Sequence, residues 1–64
     1  MDYAQQFRAI RKQQKISQET VAEYLGVVRA TYSMYETGKR NIDIRTFVKL
    51  CRFFNVTPNE ILGF

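Results

Sequence analysis

Arg29, Lys39 and Arg40 are the side chains of this 64-residue chain whose types and spacing point to chemistry. Between Tyr24 and Ile42 the only acid is Glu36, so the three cations share an electropositive stretch. An arginine can donate two hydrogen bonds to the O6 and N7 of guanine, and closely spaced cations suit phosphate oxygens. Catalysis finds no comparable support. With no His and one Cys, the chain offers no metal-ligating set and no combination of nucleophile, base and orienter. Ser17 is better used as a helix cap than as a nucleophile. Cys51 reads as an inert, small apolar residue on a buried helix face, and a lone cysteine allows no internal disulfide. Ten Lys and Arg against six Asp and Glu give a net charge of +4 and a pI near 9.6, which favours a polyanionic partner.

The elements that must hold these cations are legible as five helices and no strands. The first spans about 3–14, with Asp2 as its cap and Tyr3, Phe7 and Ile10 as its apolar stripe. Lys15 and Ile16 link it to Ser17, the cap of the second helix; Thr20 stands where a reciprocal capping box needs Glu or Gln. Within QETVAEYLGVVRATYSMYET, Gln18 to Thr37, a helix, a glycine turn and a second helix follow one another. Ala22 is small enough for two steeply crossing helices to approach closely, and Gly26 can take the left-handed conformation that ends the first of them. Val21, Leu25, Val27, Tyr32 and Tyr35 then point inward. The helix Arg29–Thr37 accordingly presents Arg29, Ala30, Ser33 and Met34 outward, and Gly38 ends it. Asp43 caps a fourth helix whose buried face is Ile44, Phe47, Val48, Cys51 and Phe54, closed by Asn55. Thr57-Pro58-Asn59-Glu60 supplies cap, first-turn proline and N3 glutamate for a fifth. The arrangement of helices two and three is a helix-turn-helix, and it implies DNA reading.

The run ISQETVAEYLGVVRATYSMYETGKRNIDIRTFVKLCRFFNVTPNEIL resembles the lambda-repressor-like, Cro-type helix-turn-helix family, also called the xenobiotic-response-element family. The resemblance covers about 7–63 and implies an all-α, five-helix domain, 1–64 being a single unit. It implies that Arg29, Ala30, Ser33 and Met34 meet base edges in the major groove. Ala30 and Met34 would offer apolar surface, for example to a thymine methyl, and Ser33 would bond several edges. Met34 departs from the polar or basic residue many relatives carry. The resemblance further implies phosphate contacts from Gln18, Thr31, Lys39, Arg40 and Asn41, and a structural ion pair between Arg11 and Glu36. No cofactor or metal is implied.

The expected function is a sequence-specific transcriptional regulator of the repressor kind, acting as a homodimer on a palindromic operator in double-stranded DNA. Phe53, Val56, Ile61 and Phe64 exceed what the core of so short a chain should need, and Phe53, Ile61 and Phe64 are expected at the two-fold contact. The competing reading folds Phe53 and Phe64 back onto helix one. Tyr32 and Tyr35 suit core packing better than base stacking, and Tyr24 is expected at the surface. Two other functions fit the same fold: an antitoxin-like or accessory protein-interaction module, and a nonspecific basic binder. Neither an apolar run of membrane-spanning length nor a signal peptide is visible, so the expected location is the cytoplasm of a bacterial or phage system, at the nucleoid. The length suits a complete small regulator or the reading head of a longer one.

Overall fold

Local capping chemistry sets most of the helix boundaries in the computed structural model, which describes residues 3–63. The helices are α1 (Tyr3–Gln13), α2 (Gln18–Leu25), α3 (Arg29–Thr37), α4 (Ile44–Phe54) and α5 (Pro58–Leu62). The expected cap at Asp2 and the expected contact at Phe64 lie outside the described residues. At three N-termini a side-chain oxygen takes up a backbone N–H that the helix leaves unpaired: Ser17 accepts from Thr20, Asp43 from Thr46 and Thr57 from Glu60. Thr20 replaces the missing capping-box glutamate with a hydroxyl pair, its Oγ1 lying 2.9 Å from the Ser17 Oγ.

Four helices end on the same device, a left-handed residue followed by a hydrogen bond from the next N–H back across five residues. In α2, Gly26 has φ 75°, and the Val27 N–H donates to the Ala22 carbonyl at 3.0 Å. A Cβ built on Gly26 would meet nothing within 4 Å, so backbone conformation and not space calls for glycine. Gly38 and Asn55 do the same for α3 and α4. The link after α1 closes likewise on Lys15 at φ 59°, with the Ile16 N–H donating to the Arg11 carbonyl at 3.0 Å. A residue with a Cβ bears roughly 1–2 kcal/mol in that conformation. Nothing in the residue type of Lys15 signals it.

The core joins Phe7 of α1, Val21 and Ala22 of α2, Tyr32 and Tyr35 of α3, Phe47, Leu50, Cys51 and Phe54 of α4, and Ile61 of α5. Phe7 meets Phe47 edge-on at 5.6 Å and stacks on Phe54 at 6.2 Å, which locks α4 under α1. Gln14 adds a polar tie, its Nε2 donating to the Phe54 carbonyl at 3.1 Å. α2 and α3 pack on each other, α1 covers α3, α4 and α5, and α4 supports α2 from behind. The outer side of α3 is thereby left uncovered.

Two expectations are corrected here. Ile44 and Val48 do not belong to the buried face of α4: Ile44 is 75% exposed and Val48 is exposed, whereas Leu50 is wholly buried. The face that packs is Phe47, Leu50, Cys51 and Phe54, turned toward α1 and α2. Ile61, expected at a two-fold contact, is only 1% exposed, being part of this chain's own core, and has no surface to offer a partner. Phe53 is half-buried and lies 4.8 Å from the Tyr24 ring and 5.1 Å from Phe54. Its ring contacts are thus with Tyr24 of α2 and with Phe54 of its own helix.

Candidate nucleic-acid interface

Burial of Tyr32, Tyr35 and Glu36 fixes the rotation of α3 and so decides what faces outward. At 100° per residue, the side opposite those three carries Ala30, Ser33, Met34 and Thr37. Ala30 is exposed, and Ser33 and Met34 are half-buried. Thr37 was missed by sequence reasoning, although its spacing of seven from Ala30 and four from Ser33 puts it on the same row. Its hydroxyl donates to the Ser33 carbonyl at 3.1 Å, which leaves its oxygen able to accept. Arg29 stands apart from this row. It is exposed at the first turn of α3, and it lines two clefts with α2, one shared with Glu19 and Glu23 and the other with Arg11 and Gln18.

The residues expected at phosphates fall at both ends of the row. Lys39, Arg40 and Asn41 are all exposed in the turn that leaves α3, and Thr31 is half-buried on its flank. Gln18 opens α2, where unpaired N–H groups and the positive end of the helix dipole favour an anion. Its side chain is not idle: Nε2 donates to the Glu36 Oε1 at 3.0 Å.

That contact joins Gln18 to a buried ion pair. Arg11 Nε lies 2.6 Å from Glu36 Oε2 and Arg11 Nη2 3.1 Å from Oε1, the side chains being 11% and 1% exposed. A third bond, from Arg11 Nη1 to the Ile16 carbonyl at 2.9 Å, ties the same guanidinium to the linker. Burial pushes the Glu36 carboxyl up, but the donors around it, Arg11 foremost, outweigh burial and hold it below its ordinary value. Arg11 is raised in turn, chiefly by its bond to Glu36. The Tyr32 hydroxyl is buried beside the pair with no well-formed hydrogen bond among the described residues; burial, then the nearby carboxylate, push its pKa upward. The pair thus spaces α1 from α3 and carries Gln18 at its edge.

No group of three or more His, Cys, Asp or Glu suited to hold a metal occurs among the described residues, and no described helix is long and apolar enough to cross a membrane. Burial pushes the Cys51 thiol up, which disfavours the reactive thiolate.

A family model described as helix-turn-helix matches residues 7–61. YqaE of Bacillus subtilis, an uncharacterized HTH-type transcriptional regulator, is 30% identical over 60 residues, covering 94% of this chain and 52% of its own length. YobD of the same organism, another uncharacterized HTH-type transcriptional regulator, is 33% identical over 61 residues, 95% of this chain and 54% of its own. The cryptic phage CTXphi transcriptional repressor RstR of Vibrio cholerae is 32% identical over 61 residues, 95% of this chain and 55% of its own. The chain spans about half the length of these curated relatives.

Proposed function

The chain belongs to the lambda-repressor-like, Cro/C1-type helix-turn-helix family, and on that premise we propose that it is a sequence-specific DNA-binding transcriptional regulator of the repressor kind. One observation carries the reading: the uncovered row of α3 is bracketed by Arg29 at its start and by Lys39 and Arg40 just past its end. A helix seated in the major groove needs base-reading side chains along its row and cations at its ends, where the strands pass. In this reading Arg29, Ala30, Ser33 and Met34 meet base edges, while Gln18, Thr31, Lys39, Arg40 and Asn41 meet phosphates.

One such module reads few base pairs, which favours a homodimer on a palindromic operator with half-sites one helical turn apart. With Ile61 in the core, the large apolar side chains exposed among the described residues are Tyr24, Val28, Ile44 and Val48, and of these Ile44 and Val48 share one helix, α4, and offer a surface for a second copy. Ile44 also borders a groove with Ile42 and Leu62.

Selection of bound sequences from a random duplex pool, followed by titration at several salt concentrations, tests the reading. On the selected site, Arg29→Ala should cost about 1–3 kcal/mol and relax preference at one base pair per half-site. Lys39→Ala and Arg40→Ala should weaken selected and scrambled duplexes alike and lower the salt slope by about one each. Full discrimination by Arg29→Ala removes that residue from the base-reading set. A wild-type chain without duplex affinity favours a protein-interaction module instead.

A further inference from the structure

We propose that the cleft between α1 and the second half of α3 is the seat of one DNA phosphate, and that Arg8 is its cation. The proposal rests on the DNA-binding reading above and adds a site that the sequence did not suggest. The cleft is lined by Gln5 and Arg8 of α1, Gln18 of α2, and Ser33, Glu36 and Thr37 of α3. Ser33 and Thr37 belong to the outward row of α3, so the cleft opens beside the surface that would enter the groove.

The charge balance within the cleft favours an anion. Glu36 lies in its wall with a side chain only 1% exposed, and its two oxygens already accept from Arg11 and Gln18. One guanidinium set against one carboxylate leaves that wall close to neutral, and Arg8 then decides the sign. Arg8 is exposed and makes no ion pair among the described residues.

The donors converge as well. A carboxylate only accepts, so the bond to Glu36 fixes the Gln18 amide with Nε2 inward, and the second hydrogen of that nitrogen remains to donate. A phosphodiester oxygen could thus meet a guanidinium and an amide N–H drawn from two different helices, beside the base-reading row. Simultaneous contact would pin α1, as well as the helix-turn-helix, to the strand. Lys12, one turn further along α1, is also exposed but does not line this cleft, which makes it the matched control.

The test uses the whole chain on duplexes carrying its selected site. Arg8→Ala should weaken selected and scrambled duplexes by a similar several-fold factor and reduce the salt slope by about one, as loss of one phosphate contact requires. Arg8→Lys should retain the slope, and Lys12→Ala should change it by clearly less than Arg8→Ala. A neutral methylphosphonate placed at successive backbone positions should reveal one position at which wild type loses affinity and Arg8→Ala loses none further. Thermal melts of Arg8→Ala and Arg8→Gln verify folding, and either variant serves for the comparison. Equal slopes for wild type and Arg8→Ala, or a full methylphosphonate penalty that survives in Arg8→Ala, overturn the proposal. Addition of inorganic phosphate separates the sources: protection of the Arg8 cleft by free phosphate at millimolar concentration, without the duplex effect, assigns it to the free anion and likewise overturns the DNA assignment. If the wild-type chain binds no duplex, the functional reading itself has failed.

Discussion

Arg11 reaches from α1 to the end of α3 and grips Glu36 with two bonds, Nε to Oε2 at 2.6 Å and Nη2 to Oε1 at 3.1 Å. Removing one partner leaves the other charge buried without compensation. Arg11→Ala or Glu36→Ala should therefore lower stability by about 3–5 kcal/mol. In a domain this small such a loss approaches the whole reserve. Urea unfolding of both singles and of the double variant Arg11→Met, Glu36→Leu checks it. The double variant should be less destabilised than either single, since no orphaned charge remains.

The same pair sets an acid limit. Because the folded carboxyl of Glu36 sits below the ordinary 4.5, its contribution is fully present above that value and is lost as pH falls through the lower folded value. The stability gap between wild type and Glu36→Gln should thus be constant from neutral pH down to about 4.5 and shrink below it. Urea titrations at a series of pH values read this directly. A gap that stays constant to the acid unfolding of wild type would mean that Glu36 is not held below its ordinary value.

Ala22, 2% exposed in the core, lies where α2 and α3 pack on each other. Ala22→Leu adds three carbons at a buried position between the two helices and should destabilise the fold by about 1–3 kcal/mol. DNA affinity should fall with the folded population, since the angle between the two helices depends on that contact. An unchanged denaturation midpoint would show that the crossing has room to spare.

Ile44 offers a clean probe of assembly because it is 75% exposed. Ile44→Glu should leave stability within about 0.5 kcal/mol of wild type; an acid in the first turn of α4 also suits the helix dipole. If two copies meet through this surface, cooperative binding to a full palindrome should disappear while half-site affinity remains. Phe53 is a poorer probe, because its ring is packed on Tyr24 and Phe54 and a charge there threatens the fold. Sedimentation of Ile44→Glu, with binding curves on full and half sites, decides whether this is the contact.

The chain of residues alone determined most helix ends, the uncapped start of α3 at Val28 and the left-handed Lys15 after α1 excepted. Ser17, Asp43 and Thr57 are caps that act within three residues, Gly26, Gly38 and Asn55 are tolerant of a left-handed backbone, and each works without any distant contact. The inward set Val21, Tyr32 and Tyr35 was legible for a related reason: in short helices with few apolar residues, one rotation alone buries them all. α4 lacks that property. Its apolar residues cover more than half its circumference, so Ile44, Phe47, Val48, Cys51, Phe54 and the rival set Phe47, Leu50, Cys51, Phe54 satisfy the same spacing. Contact with α1 and α2 selected the second and left Ile44 and Val48 outside. Ile61 went to the core for the same reason. The cleft that gathers Arg8, Gln18 and Ser33 forms where the shared core and the ion pair of Arg11 and Glu36, 25 residues apart, hold α1 against α3. No local pattern encodes the meeting of side chains on three helices; tertiary packing alone brings them together.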